Sequence, residues 1–316
     1  MLDNYISESV SEGVSVGDIY VEQALAQLNV AYSLVASYAK DVAYVEYMAE
    51  MNGVDIYQEG FFEEMEIDEN MSDDSFDGQD KSLNWNGKLR KFGKTMLSGP
   101  GKVWSLIKAA ASAVATAATN LWRFITEKSL NKCIKKLEAD ESGKKYSVPS
   151  RLIRNVANFV TDFDVFATAV ASYIESVKSK TSAKWTDFKF PEISDYDDSS
   201  DTRELTATEL AKVLKSFTRA DFKSRIKDSI KKLREAIDEC DKEMKSEDKK
   251  NFKAVTKKFN PVEDDFKKFK DIASNLTKIN TDILHDLRTV SNKVLKTMKS
   301  DSKSKGSSDD TSDDEE

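Results

Sequence analysis

The chain has 316 residues, of which 33% are charged, and it contains only 11 glycines and 4 prolines. Sheet proteins need many turn residues, so this composition favours helices and predicts an all-α fold. Cys133 and Cys240 lie far apart and outside any CxxC motif, which excludes a cysteine-based metal framework and a disulfide pattern. The first residues, MLDNYISESVSEG, lack a basic segment followed by an apolar run, so we predict no signal peptide and a reducing compartment.

The net charge of −8 conceals three segments of different sign. Residues 1–80 carry 19 acidic residues and one lysine, and residues 301–316 carry seven acidic residues and two lysines. Residues 81–300 carry 45 basic and 30 acidic residues, which makes them a candidate for nonspecific DNA contact. The acidic arm could mask this basic body or be exchanged for a polyanion; the alternative is solvated helix faces with disordered ends.

Residues 1–83 form an acidic N-terminal arm with one predicted long helix. Asp18 is the predicted N-cap, and Asn52-Gly53 is the predicted stop. Between them, apolar residues recur at alternating gaps of four and three, which predicts a seam that packs on another long helix. The stretch 55–82 is transitional: its first part could form a short docking segment or a capping helix through Phe61, Phe62, Met65 and Ile67, and its acidic, serine-bearing second half predicts a linker. The seam residues are Ala24, Leu28, Ala31, Val35, Tyr38, Val42 and Val45.

A basic segment with aromatic residues precedes the central helix. Trp85 is followed closely by Lys88, Arg90 and Lys91. A segment of this composition is a candidate for contact with a membrane surface, nucleic acid or a partner protein. The break at residues 98–101 (SGPG) then sets the start of the next helix.

The stretch 101–130 is the most apolar part of the chain, and we predict that the fold is organised around it. On a helix, its polar residues form one narrow stripe beside a ridge of alanines at spacing four. The stripe comprises Ser105, Lys108, Ser112, Thr116, Thr119, Arg123 and Thr126, and the ridge comprises Ala109, Ala113 and Ala117.

Two interpretations of this helix arise from its tryptophans. Trp104 and Trp122 are 18 residues apart. That spacing is about 27 Å along a helix, close to the thickness of bilayer hydrocarbon, so the helix could insert into a membrane with an interfacial tryptophan at each end. We favour the core of a soluble bundle, because Lys108 lies inside the span and lipid offers no partners for the Ser/Thr stripe.

The next helix is predicted to begin at residues 148–150 (VPS) and to form a central pair with the alanine-rich helix, within residues 84–183. It carries the most aromatic seam of the chain. Residues 184–203 contain Pro191 and five aspartates, which predicts an exposed acidic linker. The seam residues are Leu152, Val156, Phe159, Phe163, Phe166, Val170, Tyr173 and Val177.

Residues 204–300 are predicted to form a lysine-rich helical hairpin. A capping box spans Thr206 to Glu209, and Asn260-Pro261 separates two long helices with apolar seams. Residues 301–316 predict a disordered acidic tail. The predicted architecture is therefore an elongated helical bundle with a C-terminal hairpin. The last seam comprises Val262, Phe266, Phe269, Ala273, Leu276, Ile279, Ile283, Leu287, Val290, Val294 and Met298.

The sequence carries no recognisable catalytic or metal-binding motif. The single histidine, His285, has no second histidine or paired cysteine that would complete a metal site. Acidic pairs such as 264–265 are adjacent, and adjacent side chains on a helix point in different directions. We therefore predict no enzymatic activity, no catalytic residue, no bound metal and no cofactor.

Two short segments of the acidic arm carry a resemblance. Residues 56–60 read IYQEG, and residues 67–69 read IDE, which is similar to the hydrophobic-x-Glu sites that phage head-maturation proteases cleave. With its helical, Lys/Asp-rich style, the chain resembles accessory or internal virion proteins of large tailed bacteriophages. The resemblance implies a location in the virion interior or host cytoplasm. It also implies processing after Glu69, which would remove residues 1–69 and leave a basic product beside packaged DNA.

Together, these observations predict a non-enzymatic structural or packaged virion component that acts through helix packing and charge. One alternative is a membrane-active protein that inserts residues 85–128, as DNA-ejection proteins or pore formers do. Another is a soluble coiled-coil scaffold or adaptor whose seven-residue seams dimerise. The implied partners are other virion or scaffold proteins, a second copy of the chain, DNA contacted by residues 81–300, and transiently a membrane.

Overall fold

The computed structural model of the chain describes residues 16–51, 99–178, 201–246 and 263–304, together with the single positions 191, 193, 194, 196 and 199. Within these residues the chain forms seven helices and one two-stranded sheet, which confirms the all-α prediction. In chain order the elements are α1 (Val16–Met51), α2 (Gly99–Thr126), α3 (Lys128–Glu138), β1 (Lys145–Pro149), α4 (Ser150–Lys178), β2 (Thr202–Thr206), α5 (Ala207–Thr218), α6 (Ala220–Ser246) and α7 (Glu263–Ser304).

Four of the long helices form a ring. α2 packs along α6 on one side and along α7 on the other, and α4 packs along the same two helices. α2 lies diagonally from α4, and α6 lies diagonally from α7, so within the described residues neither of these pairs packs closely. α1 is a fifth helix that packs against both α2 and α7. The architecture is therefore a four-helix bundle with an additional helix along one side.

This ring corrects the predicted pairing of the helices. We expected a central pair within residues 84–183 and a C-terminal hairpin within residues 204–300, but the helices of each expected pair are the diagonal ones. Each seam is wide enough to bury side chains against two neighbours. Phe166 of α4, for example, stacks on Phe269 of α7 with ring centroids 5.9 Å apart. A ring provides every helix with two such neighbours, whereas an isolated hairpin provides one.

The alanine-rich helix α2 has the two faces that its sequence predicts. The alanine ridge is buried, and the predicted polar stripe is the part of the helix that remains half-buried or exposed. Hydroxyl groups of the stripe donate to carbonyls of their own helix, as Ser105 does to Gly101 (2.8 Å) and Thr119 to Ala115 (2.7 Å). These bonds satisfy the hydroxyl groups, and the stripe faces α6, where Lys108 donates to Asp241 and Thr119 accepts from Arg234 at 3.4 Å, so its polarity is compatible with the packing of the bundle.

α1 confirms most of the seam that its periodicity predicts. Leu28 and Val35 are fully buried, and the helix ends at Met51, directly before the predicted stop. The helix begins at Val16, so Asp18 lies in its first turn and its carboxylate contacts Arg288 of α7 at 3.5 Å. A negative side chain in the first turn also suits the helix dipole.

A small cap of α3, α5 and the sheet covers one end of the bundle. The sequence did not predict the break between α2 and α3, where Glu127 adopts an extended backbone (φ −68°, ψ 153°). The strands were also not predicted: β1 and β2 pair antiparallel, with Lys145 opposite Thr206. The predicted capping box is present, since the Thr206 hydroxyl accepts from the Glu209 amide and the Glu209 carboxylate accepts from the Thr206 amide.

The described part of the acidic segment 184–203 is docked on the bundle rather than extended into solvent. The buried carboxylate of Asp162 on α4 accepts from the Ser194 amide (2.9 Å) and from the Tyr196 hydroxyl (2.7 Å). Pro191 is buried as well, and β2 begins at Thr202. The prediction of an exposed linker is therefore wrong for these positions, because a polar latch in the core holds them. Residues 301–304 of the predicted disordered tail instead continue α7 as helix, and residues 305–316 lie outside the described residues.

Candidate functional site

Most of the residues that the sequence singled out for contact or processing lie outside the described part of the chain. Trp85, Lys88, Arg90 and Lys91 belong to this group, and so does the predicted processing position Glu69. Their roles therefore remain predictions.

The two tryptophans of α2 are placed in the bundle. Trp104 is only 2% exposed, and Trp122 is half-buried and packs against the hydrophobic core. Among the described residues, none of the helices combines the length and apolarity that crossing a membrane requires. An interfacial role for Trp104 would require the bundle to open, because the packing of α1, α6 and α7 around α2 now covers its ring.

A charged cleft of about 500 Å³ lies between α4 and α6. In it, the Asp164 carboxylate accepts from Lys232 Nζ at 2.8 Å and from the Ser229 hydroxyl at 3.1 Å. The bond from Lys232 is the main cause that lowers the pKa of Asp164. A carboxylate that is ionised and paired in this way is a poor proton acceptor, so the cluster serves as a clamp between two helices rather than as a general base.

A second cluster joins the start of α4 to α7. Arg151 donates from Nε and Nη2 of its guanidinium to the two oxygens of the buried Asp286 carboxylate, at 2.8 and 2.9 Å. Burial raises the pKa of the neighbouring Asp282, and the positive charge of Arg151 partly opposes that shift. The fork-shaped pairing neutralises the buried carboxylate of Asp286, so this cluster also has a structural explanation.

Histidine and cysteine are two further residue types that can carry chemistry. His285 is exposed on α7, and burial raises the pKa of the Cys133 thiol to about 11, which suppresses its nucleophilic form. Cys240 is also buried, and it is not part of a disulfide bond within the described residues. Within the described ranges, no group of three or more His, Cys, Asp or Glu side chains is arranged to hold a metal ion.

Sequence reasoning missed the polar residues that the core buries, which are Asp162, Ser229, Thr277, Asn280, Asp286 and Ser291. Asn280 is fully buried on α7, and neither atom of its amide has a hydrogen-bond partner among the described residues. The predicted seam of α7 instead passed through Ile279, which is only partly buried. Asn280 lies four residues after the buried Leu276 and three residues before the buried Ile283. This spacing would have predicted its burial if the seam had been defined by position and not by apolar residues alone.

The most unusual surface of the described chain is the outer face of α1. Eight large apolar side chains are exposed in the described residues, and seven of them lie on this helix. Single exposed apolar residues are ordinary, but a series along one helix indicates a contact surface. The seven are Val16, Tyr20, Val30, Leu34, Tyr44, Tyr47 and Met51, and the eighth is Val165 of α4.

This outer face is distinct from the predicted seam, which is used inside the molecule. Val16, Val30 and Tyr44 are spaced 14 residues apart, or two periods of seven, and so lie on one line along the helix. The helix is therefore apolar on two sides, one of which is covered by α2 and α7. We call the other side the outer stripe of α1; it comprises the exposed positions 16, 20, 23, 27, 30, 34, 37, 41 and 44.

No family model, curated protein sequence or solved structure matches the chain. The outer stripe of α1 is therefore identified as the candidate site by its geometry and composition.

Proposed function

We propose that the chain is a non-enzymatic structural protein, packaged in or assembled with a virion, which acts through helix packing and charge. The outer stripe of α1 is its main contact surface. The observation that supports this proposal is the concentration of exposed large apolar side chains on one helix: seven of the eight in the described residues lie on α1, and five of those seven lie in the outer stripe. The polar clusters at Asp164 and Asp286, by contrast, are engaged in joining helices.

The burial of α2 in the bundle favours this proposal over membrane insertion. To insert residues 85–128, the protein would have to expose the face of α2 that now buries Leu106, Val114 and Leu121 completely. Each such side chain gains about 1.5–3 kcal/mol from burial, so opening the bundle would cost several times that amount before any lipid contact.

Particle composition tests the structural role. If the chain is a virion component, it will band with purified particles in a density gradient and resist added protease until the particles are opened. Val30→Glu on the outer stripe should reduce incorporation, because it places a charge in the contact. Val165→Glu is the matched control, since this exposed valine lies on α4. Absence of the wild-type chain from purified particles would contradict the proposal.

Flotation with anionic lipid vesicles tests the membrane alternative. Deleting residues 85–128 would remove the core helix, so the informative variant reverses three charges that lie before it, in Lys88→Glu/Arg90→Glu/Lys91→Glu. Under our proposal, the intact chain stays with the soluble fraction. Flotation of the intact chain that is lost in the triple variant would favour a membrane-active protein instead.

A further inference from the structure

We infer that the partner of the outer stripe is a second copy of this chain, with the two α1 helices antiparallel around a twofold axis close to residue 32. This inference rests on the proposed role of the outer stripe and specifies what occupies it. A contact of this kind is isologous, because the same surface is used by both copies.

The order of side chains along the outer stripe is what identifies a second copy. The order of apolar and polar residues along the stripe is nearly the same in both chain directions. From residue 16 onward it has two apolar positions, two polar, two apolar, two polar, and then one apolar position. In an antiparallel pair centred on residue 32, apolar residues therefore meet apolar residues and polar residues meet polar ones. The facing positions are Tyr20 and Tyr44, Gln23 and Asp41, Gln27 and Ser37, and Val30 and Leu34, and all eight are exposed.

The polar positions favour the antiparallel direction over the parallel one. Across the antiparallel contact, the Gln23 amide of one copy lies where it can donate to the Asp41 carboxylate of the other. In a parallel contact, each position faces its own copy, so two Asp41 carboxylates would meet and repel each other. Apolar packing is equally available in both directions, and the polar pairs therefore decide between them.

The size of the stripe is sufficient for a weak dimer. The overlapping part, residues 16–48, is about 48 Å long at the helical rise of 1.5 Å per residue. With a contact width of about 10 Å, each copy would contribute roughly 500 Å², or about 1,000 Å² in total, which is at the lower limit for a specific interface. We therefore expect dissociation in the micromolar range. The two tyrosines of the stripe, Tyr20 and Tyr44, suit such an interface, because they supply large contact area with little loss of side-chain freedom.

The negative charge of α1 favours a second copy of the chain over a polyanionic partner. The helix carries five acidic residues and one lysine, and Lys40 already contacts Glu263 of α7 at 3.4 Å. A nucleic acid or an anionic membrane would be repelled by such a helix. Two copies also repel each other weakly, so added salt should strengthen the dimer by screening, whereas salt weakens binding to a polyanion.

Cross-linking between two variants, each with one added cysteine, tests the antiparallel register. Tyr20→Cys and Tyr44→Cys are prepared in the full-length chain, where the native Cys133 and Cys240 are buried and give little background. A short thiol-to-thiol reagent should cross-link the two variants when they are mixed, and neither variant alone. Cross-linking of each variant with itself would show a parallel pair and overturn the proposed contact.

Sedimentation equilibrium between about 1 and 200 µM tests the dimer itself. We expect a mass that rises from monomer to dimer with concentration and a tighter dimer at higher salt. Val30→Glu should weaken the dimer at least tenfold, because both symmetric contacts change, and Val165→Glu should leave it unchanged. Circular dichroism checks that both variants remain folded.

Two outcomes would overturn the dimer. If the protein is a monomer at every concentration and the cysteines at positions 20 and 44 are freely labelled, the stripe binds a different protein. A monomer in which both cysteines resist labelling would assign the stripe to a segment of the same chain. In either case, loss of particle incorporation in Val30→Glu would still support the structural role, so the two proposals fail separately.

Discussion

Replacing the buried Asn280 by leucine should stabilise this protein. The two side chains share a forked shape, but the leucine fork has no polar atoms. Asn280 is fully buried, and its amide has no partner among the described residues. A buried polar group without a partner costs about 1–3 kcal/mol, and a near-isosteric swap in a core costs less than about 1.5 kcal/mol. We therefore expect Asn280→Leu to raise the free energy of unfolding by about 1–2 kcal/mol.

The same substitution at a second asparagine provides the control. Asn120 of α2 is half-buried, and its amide donates to the carbonyl of Gly17 at 2.9 Å. Position 17 also has little space, since a Cβ placed there would lie 3.0 Å from the Asn120 amide nitrogen. Asn120→Leu therefore loses a hydrogen bond and disturbs a close approach, and we expect it to destabilise the fold by about 0.5–1.5 kcal/mol.

Urea denaturation followed by circular dichroism measures both changes. The protein concentration is held constant, because a dimer would make the apparent stability depend on it. Asn280→Leu should raise the midpoint at an unchanged slope, and it should raise Tm by about 2–4 °C per kcal/mol for a bundle of this size. If Asn280→Leu instead lowers the free energy of unfolding by about 1 kcal/mol or more, Asn280 has a partner, and our explanation of the seam is wrong.

Three further predictions concern the arm, the charged cleft and the cap. Cleavage after Glu69 should leave the N-terminal fragment bound to the rest of the chain in size-exclusion chromatography, because α1 is packed on α2 and α7; release without denaturant would contradict this packing. Lys232 lowers the pKa of Asp164, so this contact stabilises the fold at neutral pH and is lost as pH falls through the folded pKa. Asp164→Asn should therefore cost less than about 1 kcal/mol at pH 7 and progressively less in urea melts at acidic pH, and a cost that does not change with pH would exclude the ion pair as the cause. Thr206→Ala removes the capping box and should cost about 1 kcal/mol in the same assay, whereas Thr218→Ala, at the other end of α5, should cost much less.

The structure also changes how processing after Glu69 would act. The resemblance implied that removal of residues 1–69 would release most of the acidic arm. α1 lies within those residues, however, and Leu28, Val35 and Tyr38 are almost completely buried. A cut at this position would therefore free the connection that follows α1 while leaving the helix itself attached to the bundle.

Local periodicity was enough to locate the helices and their buried faces. The polar stripe of α2, the seam of α1 and the stop after Met51 all follow from residues within one segment. The capping box at Thr206 is likewise a signal of four consecutive residues. Such features are predictable because a helix repeats every 3.6 residues whatever it packs against.

The neighbours of each helix were not predictable in this way. The seams of α6 and α7 suit many partners, and chain order suggested a hairpin, whereas the bundle places these helices on a diagonal. The strands β1 and β2 pair over more than 50 residues of sequence, and Asp162 reaches Ser194 and Tyr196 across more than 30. A pattern within one segment of the sequence cannot predict such contacts.

The sequence by itself therefore determined that this protein is made of amphipathic helices with an alanine-rich helix in the core. Only the tertiary structure decided which helices cover the predicted seam of α1 and that a second line of apolar side chains on the same helix remains exposed. Apolar residues recur on both faces with a period of seven. The sequence pattern therefore shows that each face is apolar, but it does not show which helix packs on that face. Coverage depends on where α2 and α7 lie, and their position results from packing between segments that are far apart in the chain.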